Sequence, residues 1–179
     1  MHAAILSDDD TWDDAPALAV AAVKDEDAIP VRMRVGVRLR DGSRLRVDLS
    51  ADYGGAPFEE VRCVGDVVFV GLGAFLFIVD PRRRSAESLR LDAYFGHMES
   101  PHDLDAPESS FGLLVTSASE VLCFSPSCEL RWRACGLGVD GIVVHRLVDG
   151  VLHGDAEHDP PGGWEPFTLD FATGHRLSG

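Results

Sequence analysis

The sequence predicts an all-β protein made mainly of antiparallel meanders, with little helix. Three observations carry the prediction. Residues 31–49 alternate apolar and polar side chains with period two, the pattern of a half-buried strand pair. Residues 67–79 form two apolar runs folded about Gly71-Leu72-Gly73. The same grammar then recurs as apolar strand, small-residue turn, apolar strand, proline turn and alternating strand, with Pro81 and Pro126 standing 45 positions apart.

Bulk properties set limits on class. A chain of 179 residues can bury a core without disulfides or metals. We expect a single domain: an N-terminal segment (1–30), an arginine-striped hairpin (31–50) and three meander-like rounds (60–177). The apolar run at 67–79 is broken by two glycines, so it is not a membrane span. Asp8-Asp9-Asp10 follows a short apolar patch with no basic residues before it, unlike a secretory signal. The expected location is cytoplasmic. Cys63, Cys123, Cys128 and Cys135 show no C-x2-C spacing, which favours buried or idle cytosolic thiols over a disulfide framework or a zinc site. The net charge of −14 repels nucleic-acid phosphates and suits a basic partner. The positive charge is fifteen Arg and one Lys, a skew that hints at a GC-rich bacterial genome.

The elements come in order along the chain. Residues 3–6 read as a short edge strand and residues 7–14 as an acidic loop holding Trp12. Residues 15–23 fit a helix begun at Pro16 or a strand with Leu18, Val20 and Ala22 in phase; the β character of residues 31–49 favours the strand, and the charged residues 24–27 end it. Val31, Met33, Val35, Val37 and Leu39 then alternate with arginines, and Leu45, Val47 and Leu49 answer them. A two-residue Asp41-Gly42 turn would set Leu39 against Arg44 on one face. A three-residue loop of Arg40, Asp41 and Gly42, with Gly42 left-handed, pairs Val37 with Leu45 and Val35 with Val47. That register places Arg38 opposite Arg44 and Arg34 opposite Asp48. Facing arginines repel, so acid from elsewhere must meet this face: the chain's own carboxylates or, in a sharper reading, an acidic ligand. Residues 51–57 form a turn cluster, and residues 58–64 lead into the run at 67–81. Residues 88–94 return as a strand. Residues 96–110 make the longest loop, with His97, His102 and Asp103 as potential acid–base groups. The second round takes strands at 112–117, 121–124 and 129–133. The third takes 141–147, an Asp149-Gly150 hairpin turn, 151–155, an expanded turn at 156–163, and 164–171.

A meander period near 40 residues resembles β-propeller blades of the quinoprotein (PQQ-like) and WD types. The matching pieces are residues 67–81, 113–132 and 167–174. The resemblance implies a partial propeller-like stack. A two-sheet sandwich of meanders is the alternative.

Candidate chemistry gathers in the third round. His153, Asp155 and Glu157 would share one strand face, and with His158 they offer oxygen and imidazole ligands for a divalent metal. A solvated acidic turn is the plainer reading, because Asp159-Pro160-Pro161-Gly162-Gly163 breaks the strand. Trp164 beside that turn is costly to expose, so it packs under the turn or anchors a partner. No nucleophile elbow, phosphate loop or His-Glu-x-x-His motif occurs. Gly71-Leu72-Gly73 lacks a third glycine and a following helix, unlike a dinucleotide site. The expected function is a non-catalytic interaction protein, immunity- or antitoxin-like, binding a basic partner through Glu157, Asp159 and Trp164, with Arg34, Arg38 and Arg44 as a second contact face. A metal-dependent enzyme and a self-associating β module are the other readings.

Overall fold

The computed structural model describes residues 1–7, 9–22, 29–51 and 58–178. Among them the chain is all-β, with sixteen strands in four four-stranded sheets and one 3-10 turn at His102–Leu104. The expected charged stop at 24–27 and most of the turn cluster at 51–57 lie outside the described residues. The chain divides into two compact units, Met1–Phe95 and Gly96–Gly179.

The first unit begins with β1 (His2–Ile5) and β2 (Ala17–Ala21), followed by the hairpin β3 (Val31–Arg38) and β4 (Arg44–Ser50). The hairpin register is the expected one: Val35 faces Val47, Val37 faces Leu45, Arg38 faces Arg44 and Arg34 faces Asp48. Gly42 has φ 85°, and the amide of Leu39 donates to the carbonyl of Ser43, which closes the three-residue loop. β1 runs antiparallel to β3, while β2 runs parallel to β4, giving the order β1-β3-β4-β2. Both N-terminal strands are therefore edges flanking a hairpin formed later in the chain.

The second sheet is a sequential meander of β5 (Glu59–Val64), β6 (Val67–Leu72), β7 (Phe75–Asp80) and β8 (Ser85–Arg90). Its central turn falls at Gly73-Ala74, because Leu72 pairs with Phe75. Gly71 therefore stays inside β6 and is not part of the turn. The ring of Phe95 explains this: a Cβ at Gly71 would lie 2.3 Å from it. β8 starts three residues before the expected 88. The Asp80 carboxylate accepts the amides of Arg82 and Arg83, both at 3.0 Å, and so tightens the turn that launches β8 at Ser85. Val35, Val37, Leu45, Val47 and Leu49 from the first sheet and Val68, Val70, Leu72, Phe77 and Val79 from the second share one core, none more than 2% exposed. Burying each side chain of this kind contributes roughly 1.5–3 kcal/mol. The two sheets of this unit pack on that core, and Phe69 and Leu76, on the opposite face of the second sheet, are buried as well.

The second unit also holds two sheets. β9 (Phe95–Glu99) pairs with β10 (Leu113–Ser117), followed by β11 (Val121–Phe124) and β12 (Leu130–Ala134). The long loop expected at 96–110 is thus shortened at its start by β9. Phe95, Gly96 and Met98 are buried in β9, but Gly96 carries no side chain, so the sequence shows no apolar alternation that would mark the strand. Thr116 Oγ1 accepts the His97 amide at 2.9 Å and ties β9 in place. The last sheet is the meander β13 (Ile142–Val148), β14 (Val151–Glu157), β15 (Trp164–Asp170) and β16 (Arg176–Ser178). Asp149 and Gly150 have φ 50° and 77°, as a two-residue mirror-image turn requires. Leu114, Cys123 and Trp132 pack with Leu152, Ala156, Phe167 and Leu169. The Trp132 indole donates to the Phe171 carbonyl at 2.8 Å and crosses the Phe171 ring edge-on. The described residues thus hold four four-stranded sheets, two in each unit, in keeping with the expected sandwich or stack of meanders.

Candidate functional site

The corner where β14 meets β15 carries most of the sequence candidates. β14 runs through Glu157, which pairs with Trp164, so the expanded turn begins at His158. Strand alternation puts His153, Asp155 and Glu157 on one face, with Val143 beside Asp155 on β13, and Pro166 beside Asp155 and Thr168 beside His153 on β15. The turn is closed by backbone bonds from His158 to Gly163 (2.8 Å) and from Gly163 to Asp159 (3.0 Å). Glu157 is only 8% exposed, and its carboxylate accepts the Gly162 amide. It therefore acts as a latch that fixes the turn, while Asp159 and Glu165 stay exposed beside it.

Trp164 is 43% exposed. One edge of its ring rests on Gly141, where a Cβ would come within 2.9 Å. Val143 is 41% exposed and Val139 57%, so apolar surface continues along this corner. Acids border it, with Asp140 next to Gly141 and Asp159 and Glu165 flanking the turn.

The four expected metal ligands do not converge. Asp155 pairs with His145 at 2.8 Å, Glu157 is committed to Gly162, and the buried His158 Nε2 has no hydrogen-bond partner. No three of these four bring their ligand atoms within 4.8 Å of one another. His145 itself was not among the sequence candidates. It sits at a register shift between Val144 and Arg146, and a bulge of this kind re-aims a side chain without a sequence signature of its own. Among the described residues no hydroxyl or thiol is hydrogen-bonded to the His145–Asp155 pair, so it lacks the nucleophile of a catalytic triad.

The arginine face lies in the first unit, and the acidic N-terminal loop folds over it. Arg44 Nη1 lies 3.3 Å from Asp14, Arg44 Nη2 donates to the Thr11 carbonyl at 2.8 Å, and the guanidinium stands 4.2 Å from the centre of the Trp12 ring. Arg46 pairs with Asp48 at 2.9 Å and with Asp13 at 3.3 Å. Trp12 and Leu6 seat on Gly36, where a Cβ would meet them at 2.9 and 2.7 Å. Arg34 lies 3.7 Å from Asp48. Arg34 and Arg38 remain exposed, so Arg44 is covered and the other two are open.

The local electrostatics are structural. The Ser43 hydroxyl and amide hold the Asp41 carboxyl below its usual range, and the Thr173 hydroxyl does the same for Asp170. Burial pushes the Cys123 thiol up to about 11 and also raises Cys63 and Cys128, away from the depressed values of reactive cysteines. Among the described residues no helix is long and apolar enough to cross a membrane. No family model, no curated protein and no solved structure matches the chain. The likeness of residues 60–177 to propeller repeats therefore rests on the residues alone.

Proposed function

We propose that the protein is a non-catalytic interaction module, of the immunity- or antitoxin-like kind, that binds a basic protein partner at the Trp164 corner. The carrying observation is Trp164 itself, 43% exposed on a turn latched by Glu157. Exposed aromatic side chains on fixed frames are frequent binding hot spots. The surrounding Asp140, Asp159 and Glu165, together with the net charge of −14, favour a basic partner by complementarity and steering. The four cysteines form no disulfide, in keeping with action in the cytoplasm.

The test is retention of partner by the immobilised full chain, comparing wild type with Trp164→Ala at low and high salt. Trp164→Ala is expected to weaken retention about 30-fold, the scale of a hot-spot residue. Asp159→Asn with Glu165→Gln is expected to weaken it mainly at low salt, where surface charge is least screened. Equal retention by wild type and Trp164→Ala, or a partner without basic surface, would overturn the reading.

A further inference from the structure

We propose that the first unit carries a separate binding groove for a small, multiply charged oxyanion of the phosphate or polycarboxylate class. The groove lies at the loop end of the β3–β4 hairpin, between that loop, residues 14–16 and the turn at 81–84. Its volume is about 520 Å³, within the range of small-molecule sites.

Its charge runs against that of the chain. The whole protein carries 30 acids and 16 basic side chains, yet the groove is lined by Arg44, Arg82 and Arg84 against Asp14 and Asp41. Both carboxylates are already engaged. Asp41 accepts the Ser43 amide at 2.9 Å and its hydroxyl at 2.6 Å, and Asp14 faces Arg44. Arg82 and Arg84 are engaged less fully. Arg84, held at φ 50° on the turn, makes no ion pair among the described residues. Arg82 pairs with Asp66 at 3.1 Å and, after Ser43, also lowers the Asp41 carboxyl by its charge, with more than half of its side chain exposed. Arg44 is immobilised by Thr11 and Trp12, and its Nε has no acceptor.

An exposed ion pair contributes little, so the Arg44–Asp14 and Arg82–Asp66 pairs are weak competitors for a ligand. Guanidinium forks match phosphate and carboxylate oxygens bidentately. One fixed fork, one weakly paired fork and one unpaired fork on a groove whose wall includes Leu39 and Pro81 suit a compact anion attached to a short carbon skeleton. The Trp164 corner lies in the other unit and presents the opposite charge, so this inference does not depend on it.

The experiment titrates the full chain with pyrophosphate and with citrate at matched ionic strength, read by amide chemical shifts and by thermal stabilisation. Saturable shifts at Ser43, Arg44 and Arg84 are expected. Loss of one charge-assisted contact in Arg84→Gln is expected to weaken binding about tenfold or more, and Arg82→Gln with Arg84→Gln to abolish it. Arg176→Gln, which removes the same charge elsewhere, is expected to bind as wild type. Preference for pyrophosphate assigns the phosphate class, and preference for citrate assigns the polycarboxylate class. Non-saturable shifts, or equal weakening by Arg84→Gln and Arg176→Gln, would show a general charge effect and overturn the proposal. Arg84 is exposed, so circular dichroism should confirm that its variant keeps the fold.

Discussion

Replacing Gly71 by Ala tests the packing of the central meander with a single methyl group. The added Cβ would lie 2.3 Å from Cδ2 and Cε2 of Phe95 and 2.5 Å from its Cγ. Ordinary carbon contacts begin near 3.5 Å, so the ring must retreat by about 1.2 Å. It has little room to do so. The Phe95 amide donates to the Gly73 carbonyl at 2.7 Å and the Leu91 amide to the Ala74 carbonyl at 2.9 Å, and Phe95 is fully buried. Overpacking of this kind costs about 1–3 kcal/mol, and the upper half of that range applies to a ring pinned at its backbone. Gly→Ala in a strand returns roughly 0.5–1 kcal/mol through the unfolded chain. The net loss is then about 1–2.5 kcal/mol, which for a chain of this length lowers Tm by about 2–10 °C. Urea unfolding of the full chain, followed by circular dichroism, gives the number directly. Phe95→Leu in the same chain should recover about 1 kcal/mol relative to the sum of the two single changes. A Gly71→Ala protein within about 0.5 kcal/mol of wild type, or strict additivity with Phe95→Leu, would refute the close-approach argument.

Two further outcomes depend on particular contacts. Glu120 is fully buried and receives Nε and Nη2 of Arg133, a side chain 28% exposed; Glu120→Gln should cost about 2–3 kcal/mol, the low end for a broken buried pair because Arg133 keeps some water, and a cost below about 0.5 kcal/mol in urea unfolding would contradict the pairing. Asp41 and Asp170 have folded-state values below the ordinary 3.8, so their stabilisation is present above that value and lost as pH falls through the lowered one; the Tm advantage of wild type over Asp41→Ala with Asp170→Ala should be level near neutral pH and vanish in strong acid, and a gap unchanged in acid would sink the assignment.

Much of the fold was legible because strand pairing obeys period-two rules. The hairpin register came from refusing to set Leu39 against Arg44, and Asp149-Gly150 announced its own turn. What escaped was set by tertiary contact. Gly71 resembles a turn residue until Phe95 is known to occupy its side-chain space. β9 has no alternation to read, and a parallel partner for β2 leaves no local mark. The candidate corner was only partly visible. Trp164 and Glu157 were named, but the latch role of Glu157 depends on the Gly162 amide, and His145 reaches Asp155 through a bulge. The cover over the arginine face did have a signal. Gly36 interrupts the run of Arg32, Arg34 and Arg38, and that gap is the seat of Trp12.

The order β1-β3-β4-β2 also bears on how the chain acquires its structure. The other three sheets pair each strand with its neighbour in sequence, so their loops close cheaply and early. The first sheet cannot obey that rule. His2 must find Arg38, and Ala17 must find Arg46, so on a ribosome the first two strands emerge with no edge to join. They wait until the hairpin is made, and Trp12 with its flanking acids then draws them across the arginine face. Within this sheet, the segment synthesised first is in this way the last to be paired. Slow folding phases and early proteolytic cuts should therefore gather in residues 1–7 and 9–22 rather than in the hairpin that they join.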